Sequence, residues 1–286
     1  MRDPIVVGVD GSQVSLEAAE WAGREAALRG APVRIVHVTP QWAYHVPLAP
    51  QPSRWSPERA EAVEELLQRA ANQVRAGHPD VRVTTEILDG GAGETLVANA
   101  EGAQLLVVGN RGRGGFAELL LGSVSRYVAS RAPCPVVIVR EPHEQRRGEI
   151  VAGITGLADQ DAVLEFAFRE AELRGAVLRV LHAWTHPTST GPGDMLPIVY
   201  DVEAVGQEEE TLLAEAVAGW RESRPDVRLV QQVVREHPAK ALIEASAKHD
   251  LTIVGAHGGG RSLLGLGFVA HAVVHHARGP VAVVRL

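Results

Sequence analysis

Cysteine is almost missing. Cys134 stands alone among 286 residues, between Pro133 and Pro135, so an intrachain disulfide is excluded. Its expected role is that of a small buried hydrophobe. Aromatic residues are scarce at 4%, although 45% of the chain is hydrophobic, the composition of a Val-, Leu- and Ala-rich α/β protein. There is no long basic run, the formal charge is −7 and the pI is near 6.0. Nucleic acid and anionic membrane surfaces are therefore not expected partners. No apolar run approaches the roughly 20 residues that cross a bilayer. The chain enters an apolar strand at Ile5 with no signal-peptide pattern before it, which sets a cytoplasmic location as the expectation. The chain also lacks a Walker A loop, because no Gly-Lys-Ser/Thr follows its glycine-rich segment.

That segment, residues 104–126, is the most informative stretch present. Gln104–Val108 is a short apolar run ending at Gly109, the signature of a buried strand. Asn110–Phe116 is basic and rich in glycine. Leu119–Leu121 leads into Gly122-Ser123, where Ser123 is the expected N-cap of a helix. Strand, glycine loop and helix start together make an anion site. Glycine lets loop amides turn inward, and a helix start presents free N–H groups at the positive end of its dipole. Arg111 and Arg113 add formal positive charge.

The chain also repeats itself at an offset of about 145. Glu25–His37 (EAALRGAPVRIVH) matches Glu170–His182 (EAELRGAVLRVLH). Pro79–Arg82 matches Pro225–Arg228, and Pro135–Arg140 matches Pro280–Arg285. Three matches in register make the chain two copies of one domain, residues 1–141 and 149–286, joined by a polar segment over Glu141–Glu149. In the first copy the pattern predicts strands at Ile5–Val9, Val33–Val38, Val81–Leu88, Leu105–Val108 and Val136–Val139. Helices are predicted over Val14–Arg29, Glu58–Ala76 and Gly93–Ala100 and from Gly122. Val63, Leu66, Leu67, Ala70 and Val74 share one helix face. Pro40–Pro57 reads as a long loop. The second copy repeats this order from Ile150–Ile154 to Val281–Val284. Strands alternating with helices give parallel sheets covered on both faces, an α/β doubly wound architecture.

In such a sheet, ligands bind beyond the carboxyl ends of the strands, where the strand order reverses. Asp10 follows the first strand, His37-Val38 closes the second, and Gly109 closes the fourth. A carboxylate for a base or ribose, a valine for a flat ring and an anion loop with Ser123 together outline a nucleotide. Each also has a plainer reading: Asp10 as a turn residue, the loop as a simple turn, and His37 as a satisfied core histidine, which is the more common case.

The first copy carries Gly109-x2-Gly112-x9-Gly122-Ser123 without a gap, and the repeat covers nearly the whole chain. On these residues the chain resembles a tandem-domain universal stress protein of the ATP-binding type. The resemblance implies two five-stranded sheets of strand order 3-2-1-4-5, similar to the adenine-nucleotide α-hydrolase-like fold. It also implies ATP as the ligand and a regulatory role in stress response. Gly8, Asp10 and Val38 would surround adenine and ribose. Gly109, Arg111, Gly112, Gly122, Ser123, Val124 and Ser125 would line ribose and phosphates. Mg²⁺ would accompany the phosphates, held mainly by their oxygens and water. Relatives of this family associate through the edge of the last strand. The short apolar strands PVVIV and PVAVV suit such pairing, within one chain or as a homodimer.

The second copy departs from the pattern. Thr155 stands for Asp10 and His257 for Arg111. Its loop, Gly255-Ala-His-Gly258 then eight residues to Gly267-Phe268, is one residue short and has Phe268 for the serine, with Arg261 as partial compensation. ATP binding there is expected to be poor or lost, unless the ligand has changed. His271 and His275 are four apart on one helix face, beside His276, but no third metal ligand is evident. Arg140, Arg146 and Arg147 read as a solvated linker. No catalytic set stands out, so the alternatives left open are a slow ATP-hydrolysing enzyme of the same fold group and an interaction module without a nucleotide. Partner contacts, with a regulatory protein not named by the sequence, would fall at Pro40–Pro57 and Thr185–Tyr200.

Overall fold

The computed structural model describes residues 3–39, 57–112, 121–140, 147–155, 160–185, 201–256 and 265–285. The chain divides into two compact units, Met1–Pro142 and His143–Leu286. The proline-rich segment after the second strand, most of Thr185–Tyr200, and Arg113, His257 and Arg261 lie outside the described residues.

The first unit alternates strand and helix: β1 (Ile5–Gly8), α1 (Gln13–Arg29), β2 (Val33–Thr39), α2 (Pro57–Gly77), β3 (Val83–Asp89), α3 (Ala92–Asn99), β4 (Leu105–Gly109), α4 (Ser123–Arg131) and β5 (Val136–Val139). The strands lie in the order β3-β2-β1-β4-β5 and pair in parallel. β1 is central and pairs β2 on one side and β4 on the other, so the order reverses there. Its Ile5, Val6 and Val7 are fully buried, as are Leu105, Leu106 and Val107 of β4. That continuous burial is the mark of a strand covered on both faces. α1 and α2 pack together and α3 and α4 pack together, one pair per face.

Alanine sets how closely α1 approaches the sheet. Ala18, Ala19, Ala22 and Ala26 form its fully buried stripe. Ser12 caps the helix, its side chain accepting from Ser15 N–H, and Gly30 ends it in the left-handed region at φ 58°. α2 buries Leu66, Leu67, Ala70, Ala71 and Val74, with Val63 of the expected face half-buried, and begins at Pro57, whose fixed φ suits a first helical position. β1 stops one residue before the predicted end, and β3 starts two residues after its predicted start.

The second unit repeats the series: β6 (Glu149–Ile154), α5 (Asp161–Arg174), β7 (Val177–Trp184), α6 (Val202–Ser223), β8 (Leu229–Arg235), α7 (Pro238–Ser246), β9 (Thr252–Ala256), α8 (Phe268–His276) and β10 (Val281–Arg285). Its order is β8-β7-β6-β9-β10, again parallel. The two units solve one helix crossing differently. In the first, Gly23 of α1 lets α2 come close, and a side-chain carbon there would lie 2.8 Å from Val74 Cγ1. In the second, the matching positions are Phe168 and Trp220, whose rings stack at 5.9 Å.

Candidate functional site

Asp10 leaves β1 at its carboxyl end and is held by the start of α1. Its Oδ1 accepts from Ser12 N–H at 3.0 Å and from the Ser12 hydroxyl at 2.7 Å. Its own N–H donates to Ser15 Oγ at 3.3 Å, and that hydroxyl donates to Ser12 O at 2.8 Å. Gly11 takes φ 84°, the turn that brings Ser12 back over the carboxylate. The carboxylate is thus oriented by Ser12 and the Asp10 backbone is held by Ser15. The signal for Ser12 was present, since a serine just ahead of an apolar helix is a favoured N-cap.

The other oxygen, Oδ2, points toward the glycine loop. A methyl group on Gly112 would overlap it, so the loop backbone rests directly against the carboxylate. This contact joins the first-strand and fourth-strand halves of the predicted site. The remaining glycines have different causes. Gly109 brings β4 against the start of α1, where an added carbon would lie 3.1–3.2 Å from the Val14 side chain and backbone. Gly8 gives room to Leu96 of α3, 2.8 Å from where its Cβ would be. Gly153 does the same for Leu242 in the second unit. Because Gly153 is kept where the aspartate is lost, packing of the short helix suffices to explain both glycines.

From β4 the backbone turns through Asn110, which is buried. Its N–H donates to Val139 O of β5 at 2.8 Å, and its carbonyl accepts from Gly122 N–H at 2.7 Å. One residue thus ties two strand ends to the start of α4, a link formed by the chain returning after residue 120 and unreadable from neighbours in sequence. The cap of α4 is Gly122 and not Ser123, a correction to the expected N-cap. Gly122 has extended dihedrals and gives no side-chain cap bond, and Ser123 is the first helical residue with an exposed side chain. The first-turn N–H groups of Ser123, Val124 and Ser125 have no partners within the helix. The Ser125 hydroxyl is turned inward, donating to Gly109 O at 2.6 Å, so it anchors α4 on β4.

Val38 is half-buried on β2, in register with Leu88 of β3. His37 Nδ1–H donates to Val9 O at 2.8 Å, a satisfied structural histidine that fixes the end of β1. Arg111 and Gly112 are exposed at the mouth of the loop. Arg140, expected to be part of a solvated linker, is instead half-buried at the exit of β5. Burial, with repulsion from Arg111 added, pushes its guanidinium down to about 10.

The same end of the second unit is organised otherwise. Gln160 is buried. Its Oε1 accepts from Thr155 N–H at 2.7 Å, and its amide is also hydrogen-bonded to the Thr155 hydroxyl. His182 bonds Ile154 O at 3.1 Å, as His37 does Val9, and its other nitrogen meets Glu209 at 2.7 Å. Phe268 begins α8 with 75% of its surface exposed, its ring edge-on to His237 at 5.9 Å. The rings of His271 and His275 lie 4.3 Å apart. Among the described residues no group of three His, Cys, Asp or Glu is placed to hold a metal, and no helix is long and apolar enough to cross a membrane.

Two parallel doubly wound units, the first with the Asp10 carboxylate against Gly112 at its switch point, define a tandem α/β protein. The chain belongs to the universal stress protein family, which matches residues 1–140 and 147–285. Two curated universal stress proteins of Mycobacterium tuberculosis are each 36% identical to it, over 290 and 293 residues, covering 98% of this chain and 96% of theirs. A solved universal stress protein from Archaeoglobus fulgidus shares the fold, with a TM-score of 0.73 at 18% identity over 99% of this chain and 96% of that one.

Proposed function

We propose that the first unit, residues 1–141, binds ATP and that the protein has a regulatory or sensing role in stress response. The observation that carries the reading is the contact of Asp10 Oδ2 with Gly112, which makes one cradle of the carboxylate and the phosphate loop. The residues fit the group. Asp10 is oriented toward the loop, Val38 offers an apolar surface for a ring, and the open first turn of α4 offers N–H groups to a phosphate. Arg111 supplies charge at the mouth. Mg²⁺ would be held by phosphate oxygens and water, screening the charge of the phosphate chain. The protein acts here by binding and orienting, with Ser12 fixing the Asp10 carboxylate, Ser15 holding its backbone N–H, and Ser125 and Asn110 fixing the helix start.

The second unit is a degenerate copy in this reading, its strand end closed by the Thr155–Gln160 pair. The short last strands suit a cytoplasmic homodimer assembled through their edges, and a regulatory protein would read the nucleotide-bound state. The test is direct. Protein purified without added nucleotide is denatured, and the extract is examined by absorbance and mass. ATP should be found in wild type and lost in Asp10→Ala and in Gly112→Ala, whose methyl would press on the carboxylate. Full ATP occupancy in both variants would defeat the assignment.

A further inference from the structure

In the second unit, polar side chains gather at the amino end of β6, away from the carboxyl ends of the strands. Asp250 sets their geometry. Its carboxylate accepts from Arg147 N–H and from Gly148 N–H, each at 2.8 Å, and its own N–H donates to Glu149 O at 2.8 Å. The entry to β6 is thereby laced to the turn after α7, which brings Glu149 to His249. Arg179 of β7 donates from Nε to Glu149 Oε1 at 2.8 Å and from Nη1 to Gln232 Oε1 at 3.1 Å. These groups line one end of a cavity of about 460 Å³ between α7 and the β7–β8 part of the sheet. Leu181 and Val234 give it an apolar wall, and the exposed Glu244 of α7 stands further along it. His249 is the buried member, its side chain 7% exposed. Its Nδ1 lies 2.6 Å from Ala245 O. A carbonyl only accepts, so Nδ1 carries the proton and the neutral ring keeps a lone pair on Nε2. That nitrogen stands 3.6 Å from Glu149 Oε1, a second acceptor, beyond hydrogen-bonding reach. In the same unit His182 and Glu209 close to 2.7 Å, the distance of an imidazole and a carboxylate that share a proton. The wider spacing at His249 suits a donor seated between two acceptors.

We propose that this cavity binds a small alkyl amine, its ammonium group donating to His249 Nε2 and Glu149 and its chain lying along Leu181 and Val234. An ammonium carries several N–H donors on one centre, so it serves both acceptors at once, and its charge strengthens each bond. Glu244 offers a carboxylate to a second amine on the same chain. Arg179 and Lys248, which also line the cavity, balance the carboxylates there, so recognition rests on the acceptor pair and the apolar wall more than on net charge. In the first unit Pro4 and Ala103 take the places of Glu149 and His249, so the pair belongs to the second unit alone. The site is independent of the nucleotide reading.

Calorimetry on the full chain tests it with three probes: putrescine, butylamine and butanediol, the last having the same chain length as putrescine without charge. Both amines should bind and the diol should not. His249→Ala should weaken both amines about tenfold, the loss of one charge-assisted hydrogen bond. Alanine is the residue that the first unit carries at this position, so the fold accommodates it. Glu244→Gln changes an exposed side chain and leaves the fold intact. It should weaken putrescine about threefold, as an exposed ion pair would, and leave butylamine unchanged. If His249→Ala lowers the denaturant midpoint, the putrescine-to-butylamine ratio in Glu244→Gln decides. Diol binding as tight as that of putrescine overturns the inference. So does amine binding that both variants leave unchanged, which is general attraction to an acidic chain. A wild-type chain that binds neither amine overturns it as well.

Discussion

Cys134 sits between two prolines just before β5 and is free. Burial pushes its thiol up to about 11, with backbone hydrogen bonding opposing the shift. Only the thiolate is nucleophilic, so at pH 8 this cysteine should react with a thiol reagent about 100-fold more slowly than an unperturbed one, the two-unit shift read as a rate. Urea should abolish the difference, and equal rates in folded and unfolded protein would contradict the burial. The linkage has a definite sign. The folded value lies above the unfolded one, so the contribution to stability is present below pH 9 and is lost as the pH rises from about 9 to about 11. The plain reading of a lone cysteine as a small buried hydrophobe is met in part, since Cys134 is half-buried. Asp10 shows the limit of such reading. Its position after an apolar strand was legible, but its orientation depends on Gly11 at positive φ and on the Ser12 N–H and hydroxyl. Arg140 was misread because its neighbours in sequence are charged, while its neighbours in space are set by β4–β5 register.

At the scale of elements, the first helix of each unit carries a buried ion pair near its end. Arg29 Nε meets Glu25 Oε1 at 2.6 Å, both side chains 2% exposed, and Arg174 pairs with Glu170 at the matching positions. A buried pair adds little net stability over an apolar replacement, but breaking it strands a charge. Arg29→Met should therefore destabilise the fold by about 3–5 kcal/mol, and Glu25→Leu with Arg29→Met should recover most of that loss. Denaturant midpoints of the three proteins measure it, and a single variant as stable as wild type would refute the argument. The repeat EAALR/EAELR was visible in sequence as a match, yet its charges at i and i+4 look the same on a solvated face as on a buried one. Only the close approach of α1, set by Ala18, Ala22 and Ala26, puts them inside. The strand order was implied by the family resemblance, whereas the strands and helix faces themselves were legible for a simpler reason. Continuous apolar runs such as Leu105–Val108 and the periodic face of α2 each specify one environment along their whole length. The cap of α4 was not legible, because Gly122 and Ser123 are both acceptable caps and the choice is made by Gly122 N–H reaching back to Asn110.

For the whole molecule, duplication provides a comparison inside one chain. Both units keep the strand order, the leucine against the first-strand glycine and the histidine bonded to the first-strand carbonyl. These shared features belong to the fold. The units differ at Asp10 against Thr155, Ser15 against Gln160 and Ser123 against Phe268, all at the carboxyl ends of the strands, where the proposed nucleotide site lies. In the second unit the Gln160 carboxamide takes up both the Thr155 N–H and the Thr155 hydroxyl, so the groups at the exit of β6 are already satisfied by the protein. A nucleotide entering there would have to break those part-buried bonds and would find no carboxylate in return. The full chain should accordingly hold one ATP per 30.5 kDa, counted by native mass spectrometry against protein stripped of ligand. Asp10→Ala should lower that count to zero, because no second site takes over. Two nucleotides per chain in wild type, or one remaining in Asp10→Ala, would show that the Thr155–Gln160 closure opens readily and that the second unit is a working site.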